Sequence, residues 1–379
     1  METNSKKLNA QIKQISIPKP SELVAELDKY IIGQDAAKKR LAVAVYNHYK
    51  RVISNVYGGN PETGGELDDV NIEKSNIMLV GHTGTGKTYM LKTIAKMIGI
   101  PCYIADATKL TESGYVGDDV ETIITGLLQE CNYNVEAAQM GIIVTDEIDK
   151  IGRKSDNPSI TRDVSGEGVQ QGLLKIVEGG RVGVAPNGGR KHPDQPLVYV
   201  DTTNILFIGM GAFDGLDRII ERRLNRSTIG FLSDNTARRD GNNDEILSHV
   251  ISNDLKSFGL IPELIGRFPI VTYTNELKKE DLKRILTEPQ NALVKQYRKL
   301  LLLDGVDLKF TDDAIDAIAD YTLTLKIGAR GLRGTMETVL TDIMYDFSDG
   351  KKKTVEIDRT YVERVLGILP AVKEETKAA

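Results

Sequence analysis

Apolar residues are distributed in two textures along the chain. Up to Tyr273, short unbroken apolar runs alternate with stretches in which apolar positions recur every three or four residues. The run Asn76-Ile-Met-Leu-Val80 has the composition of a buried strand, and Pro101 to Ala105, Gly141 to Thr145 and Asn204 to Gly209 repeat it. Helical patterns cover Asp35 to Ile53 and Tyr89 to Ile98. Strands alternating with helices predict an α/β fold with a parallel sheet flanked by helices. Beyond Tyr273 the helical period takes over: Leu293, Val294, Tyr297, Leu300 and Leu301 mark one amphipathic helix, and Met336, Val339, Leu340, Ile343, Met344 and Phe347 another. A smaller, mainly helical (α+β) C-terminal lid domain with a short strand or two is expected there. The expected organisation is a flexible segment over 1–20, a large domain over 21–274, a small domain over 275–368 and a tail over 369–379. The two ends are rich in Lys, Gln, Ser, Pro and Glu, a composition that predicts mobility. A Gly, Pro, Asp and Glu stretch between Tyr57 and Glu73 reads as a long loop, and no internal repeat is seen.

Directly after the first strand, Gly81, His82, Thr83, Gly84, Thr85, Gly86, Lys87 and Thr88 form a complete P-loop between strand and helix. Glycines let successive backbone N–H groups turn inward around phosphate oxygens, and the following helix adds the positive end of its dipole. Lys87 can then reach the β and γ phosphates of ATP, and Thr88 can ligate Mg²⁺. A second strand, Gly141-Ile-Ile-Val-Thr, ends in the adjacent carboxylates Asp146 and Glu147. Paired with a P-loop, that ending suits metal binding by Asp146 and activation of the attacking water by Glu147.

Composition limits the rest. The chain has 379 residues, 40% of them hydrophobic, enough for more than one core. Its formal net charge of −5, with no long basic run, disfavours a machine whose main partner is nucleic acid. Cys102 and Cys131 are too few for a disulfide framework or a zinc module, so no zinc is expected in this chain. No signal peptide or apolar run of membrane-spanning length is present, so no membrane partner is expected and a reducing cytoplasm is the simplest home.

Several longer segments carry a family resemblance from about Tyr30 to about Leu366. They are Tyr30-Ile-Ile-Gly-Gln34, Leu110-Thr-Glu-Ser-Gly-Tyr-Val-Gly117, Asp146-Glu-Ile-Asp-Lys150, Ser159-Ile-Thr-Arg-Asp-Val-Ser-Gly-Glu-Gly168, Gly189-Arg-Lys-His-Pro193 and Gly328-Ala-Arg-Gly331. In this order the set resembles the ClpX family of AAA+ ATPases, hexameric rings that feed unfolded or tagged proteins to the ClpP peptidase. The resemblance implies an ATP-dependent unfoldase and a homohexamer.

It also implies roles for single residues. Tyr115 and Val116, flanked by glycines, resemble the loop that lines the axial pore and grips polypeptide by apolar contact. Arg162 and Val164 fall in the segment resembling a second pore loop, and Arg190, Lys191 and His192 resemble a basic loop at the pore entrance. Arg267, in Ile265-Gly-Arg-Phe-Pro269, resembles the arginine finger that reaches the γ-phosphate of the neighbouring subunit. Arg330 resembles the second sensor, a cation of the small domain that touches nucleotide. Ile31 and Ile32 resemble the apolar wall against adenine, and Tyr89 closes the nucleotide-contacting segment. Ile229, Gly230 and Phe231, an apolar tip amid polar residues, resemble the tripeptide with which this family docks on ClpP.

Two departures stand out. Members normally begin with a zinc domain built on four cysteines, and no Cys precedes Cys102. The strand Asn204 to Gly209 also runs into Met210-Gly-Ala-Phe213 without a polar residue where many AAA+ proteins place a first sensor, a role left unassigned. The rival readings are an HslU-like unfoldase, which lacks the docking tripeptide, a nucleic-acid motor, which would place basic or base-stacking residues at the pore, and a nucleotide-switched scaffold.

Overall fold

The computed structural model describes residues 17–57, 70–111, 118–152, 166–185, 196–226, 246–346 and 353–368. The chain divides into two compact units. The first comprises residues 1–25, 35–82 and 87–275; the second comprises 26–34, 83–86 and 276–379.

The first unit is built on five parallel strands: β1 (Ile77–Val80), β2 (Cys102–Asp106), β3 (Ile142–Asp146), β4 (Leu206–Gly211) and β5 (Ile270–Tyr273), in the order β2-β3-β4-β1-β5. Every pairing is parallel. All four residues of β1 and all six of β4 are buried, as expected where helices cover both faces of a parallel sheet. Helix Thr122–Glu130 packs Ile123, Ile124, Leu127 and Leu128 into the core formed by Val80, Ile143 and Phe207, which Leu173 and Ile176 of helix Glu167–Val177 also enter. The four strands expected from apolar runs are present: β1 starts one residue later, β2 and β3 are shifted by one residue and β4 by two. β5 is the strand that the pattern does not reveal. It has four residues, follows Pro269 and lies at the sheet edge, so it carries neither alternation nor a long apolar run.

One face of this unit carries basic groups hydrogen-bonded to backbone carbonyls. His48 is hydrogen-bonded to Asn204 O at 3.0 Å, and Arg51 donates to Thr203 O at 3.1 Å. Lys74 donates to Thr202 O and Val177 O at 3.0 and 3.2 Å and lies 4.6 Å from the ring centroid of Phe207. Burial holds the Lys74 amine down at about 7 and the His48 imidazole down at about 3.

The second unit contains a parallel pair, Val306–Phe310 with Lys353–Ile357, and helices Lys279–Thr287, Leu293–Leu303, Asp312–Thr324, Arg330–Asp346 and Arg359–Val365. Thr311 caps the third of these by accepting Ala314 N–H, and Asp358 caps the last by accepting Tyr361 N–H. Its core joins Leu282, Leu286, Leu308, Ile318, Leu332, Met336, Val339 and Leu340. Among the described residues the expected apolar stripes hold with one exception, and Phe347 lies outside those residues: Tyr297 and Leu301 are buried, whereas Leu300 is 48% exposed. Leu300 is adjacent to Leu301 and points about 100° away on the helix, which carries it off the narrow face that Tyr297 and Leu301 bury. Among the described residues no helix is long and apolar enough to cross a membrane.

Candidate functional site

β1 delivers the chain to Gly81, which is held from both sides. Its N–H donates to Gly211 O of β4 at 3.2 Å, while Thr274 N–H donates to Val80 O at 2.8 Å. Gly81 and Gly84 have φ of +153° and +80°, which only glycine adopts without strain. Space excludes a side chain as well: a Cβ on Gly81 would lie 2.0 Å from Thr274 Oγ1, and one on Gly84 2.2 Å from Ile327 O. Helix Lys87–Ile98 begins at the loop's end, so the positive end of its dipole points back into the loop. Lys87 is buried and donates to His82 O at 2.9 Å and to Gly81 O. Thr85 is buried, His82, Gly86 and Thr88 are half-buried, and Thr83 and Tyr89 are exposed.

Within the second unit, Ala329 N–H donates to Gly84 O at 3.1 Å, and Arg330, exposed, opens helix Arg330–Asp346 one residue later. Ile31 and Ile32 are buried and run into Gly33 and Gln34, both at φ +62°.

The acidic motif leaves β3 through an unusual backbone. Asp146 ends the strand, and Glu147 sits in the left-handed region at φ 56°, ψ 31°. That conformation costs a non-glycine residue on the order of 1 kcal/mol. Two hydrogen bonds hold it: Glu147 N–H donates to Asp146 Oδ1 at 2.9 Å, and Lys150 N–H donates to Glu147 O at 2.9 Å. The turn points Glu147 outward into solvent while Ile148 and Asp149 go inward. Strand order then decides what meets what. β4 lies between β1 and β3, so Gly81 at the start of the P-loop, the end of β4 and the acidic pair share the C-terminal edge of the sheet, where open parallel sheets bind ligands.

Arg267 is placed at the opposite edge. It follows helix Pro262–Gly266, and its carbonyl accepts the side-chain amide of Asn76 at 2.8 Å. Asn76 immediately precedes β1, and its Oδ1 accepts Phe207 N–H at 3.1 Å. The Arg267 guanidinium pairs with Glu178 at 2.6 Å, both side chains exposed. Gln170, fully buried, ties this region to the acidic motif: it donates to Ile151 O at 2.8 Å and accepts Ile261 N–H at 2.7 Å. Asn76 and Gln170 escaped sequence reasoning. The only available signal was a polar residue inside an apolar pattern.

Tyr115, Val116, Arg162, Val164, Arg190, Lys191, His192, Ile229, Gly230 and Phe231 lie outside the described residues. Their flanks are described. Short parallel pairing of Leu110–Thr111 with Asp118–Asp119 brackets residues 112–117, and an antiparallel ribbon of Arg181–Val184 with Val198–Asp201 brackets 186–195. Among the described residues no group of three or more His, Cys, Asp or Glu could hold a metal ion.

Comparison with known proteins places this geometry in a family. The model of the AAA domain (Cdc48 subfamily) matches residues 72–271, and that of the C-terminal, D2-small domain of ClpB protein matches residues 277–357. The ATP-dependent Clp protease ATP-binding subunit ClpX of Porphyromonas gingivalis is 51% identical over 357 residues, covering 94% of this chain and 84% of that protein. The subunit of the same name from Bacteroides thetaiotaomicron is 53% identical, covering 92% and 82%. That from Treponema denticola is 54% identical, covering 87% and 78%. A P-loop parallel sheet with an acidic pair beside it, followed by a small domain and matched over most of its length to these subunits, makes the chain an ATPase that belongs to the ClpX family of AAA+ proteins.

Proposed function

We propose that this chain works as one of six identical subunits in a ring that hydrolyses ATP and threads unfolded or tagged proteins through a central pore into the ClpP peptidase. The observation that carries the reading is the shared edge of the sheet, where Gly81 of the P-loop and Glu147 of the acidic motif flank the end of β4. The domain boundaries we propose are 21–274 for the large ATPase domain and 275–368 for the small one.

Each residue has a proposed part. The loop Gly81–Thr88 cradles the phosphates, and Lys87 moves from its carbonyl partners to phosphate oxygens. Glu147, exposed beside the loop, orients and deprotonates the attacking water. Thr88 and Asp146 would hold Mg²⁺; one hydroxyl and one carboxylate suit a cation that keeps its remaining places for water and phosphate oxygens. That ion would neutralise charge developing on the phosphates. Arg267 serves the nucleotide of a neighbouring subunit, a role supported by its anchoring at the far end of β1 from its own P-loop. Arg330 contacts nucleotide from the small domain, with Ile31 and Ile32 against the base. Tyr115 and Val116, with Arg162 and Val164, grip the substrate in the pore. Arg190, Lys191 and His192 make its mouth cationic, and Ile229, Gly230 and Phe231 dock on ClpP.

The test is loss of fluorescence from a stably folded, C-terminally tagged reporter mixed with the chain, ATP, Mg²⁺ and a matching ClpP. ATP-dependent loss is expected, abolished by a non-hydrolysable analogue and by Glu147→Gln. Intact fluorescence beside normal ATP turnover, across several tags, would remove protein unfolding from the reading.

A further inference from the structure

The end of β4 faces both the phosphate loop and the acidic pair, because β4 lies between β1 and β3. The strand's last two residues, Met210 and Gly211, and the next two, Ala212 and Phe213, offer no polar side chain there. A carboxylate from outside the strand reaches this place. Asp149, in the single turn Ile148–Ile151, has a side chain only 2% exposed. Its Oδ1 lies 2.2 Å from where a Cβ on Gly211 would stand, so that carboxylate occupies the space of the missing side chain. Oδ2 is 3.3 Å from Lys150 Nζ, and the same ammonium is 3.6 Å from Asp214. Asp149 and Lys150 thus hold both ends of the 211–214 turn. Gly211 in turn accepts the Gly81 N–H, the first peptide of the phosphate loop.

Asp149 Oδ1 has no hydrogen-bond partner among the described residues. An unmet buried acceptor costs about 1–3 kcal/mol, and an apolar side chain would fill the same space without that cost. The group therefore does something that filling does not. We propose that Asp149 is a positioning residue of the ATPase site: its carboxylate sets the end of β4 at Gly211, and Gly211 sets the entrance of the phosphate loop at Gly81. This rests on Gly81–Thr88 as the phosphate cradle. The polar group that the strand lacks at its end is supplied from the acidic motif next door.

The test is equilibrium binding of a fluorescent ADP with Mg²⁺ to the full chain, with steady-state ATPase kinetics and thermal unfolding of each variant. Asp149→Ala removes a negative charge from the edge of the sheet where the loop begins, which by electrostatics alone would tighten binding of an anionic nucleotide. The positioning role predicts the reverse, about fivefold weaker binding carried by KM rather than kcat. Gly211→Ala, whose methyl meets the carboxylate, weakens binding about tenfold, and adding Asp149→Ala to it recovers part of the loss because the methyl gains room. Unchanged or tighter binding by Asp149→Ala with the melting temperature preserved overturns the proposal. So does a double variant that binds no better than Gly211→Ala. Should Gly211→Ala not fold, Asp149→Ala decides alone. Lys87→Ala is the control: normal binding there would remove the cradle reading itself, a different failure from that of Asp149.

Discussion

Asn76 donates its side-chain amide to the backbone carbonyl of Arg267 at 2.8 Å, fixing Arg267 beside the N-terminal end of β1. The P-loop leaves the C-terminal end of that strand. Four residues of extended chain, on the order of 13 Å, stand between the two, so Arg267 is held away from the start of its own P-loop.

Arg267→Ala and Glu147→Gln should therefore each abolish most ATP turnover alone but complement when mixed. A Glu147→Gln subunit offers an intact Arg267 to a neighbour whose Glu147 is intact. Random mixing in equal amounts should restore about a quarter of the sites. ATPase assays of the remixed variants check this, and no recovery at any ratio would place Arg267 in its own subunit's site.

Gly84→Ala should weaken nucleotide binding by at least about tenfold. The residue combines φ +80° with a Cβ position 2.2 Å from Ile327 O, and a backbone carbonyl cannot swing aside as a side chain can. Binding of a fluorescent nucleotide analogue measures the loss.

Asp254→Ala should lower the unfolding free energy by about 3 kcal/mol. The buried carboxylate accepts Arg223 Nε at 2.8 Å, Arg223 Nη2 at 3.0 Å and Ile251 N–H at 3.0 Å. Removing it leaves Arg223 Nε and a helix-start N–H without their acceptor, while Arg223 Nη2 keeps the His249 carbonyl at 2.6 Å. Urea denaturation gives the value, and a cost below 1 kcal/mol would mean that solvent replaces the carboxylate.

Lys74 gives the chain a pH dependence. Its amine binds a proton less tightly folded, at about 7, than at the ordinary 10.5. Between those values the unfolded chain carries the proton and the folded chain does not. Unfolding takes up a proton, and stability rises with pH, by at most about 1.4 kcal/mol per unit. Below 7 both states are protonated and the cost of burying the ammonium is fully present. His48, held at about 3 against 6.5, adds a further loss as pH falls through that lower window. Unfolding free energies of the parent and Lys74→Met at pH 7 to 9 should differ in slope, the variant being flatter.

The parts of the chain that were legible beforehand are those where one local physical demand selects residue type. Apolar runs gave β1, β3 and β4 because buried parallel strands tolerate little else. Glycines and Lys87 marked the phosphate loop because backbone geometry and charge both constrain it. β5 stayed hidden because an edge strand of four residues needs no long apolar run, and Leu300 was misplaced because a run of four leucines, Leu300 to Leu303, satisfies the helical period at more than one phase. Asn76, Gln170 and Asp149 were invisible as positioning groups for a different reason. Their meaning lies in partners far along the chain: Arg267, Ile261 and Gly211. A polar residue shows its partner only once the chain has folded.

The left-handed backbone at Glu147 has a consequence for how variants of this chain would fail. Glycine is the residue that this conformation prefers, so Glu147→Gly should raise the melting temperature slightly while removing the group proposed to activate water. Such a subunit would escape the cell's surveillance of misfolded chains, since nothing about it is misfolded. It would persist at normal abundance and take its seat beside healthy copies. The strained glutamate thus ties the most dangerous loss of function to a gain in fitness of the fold.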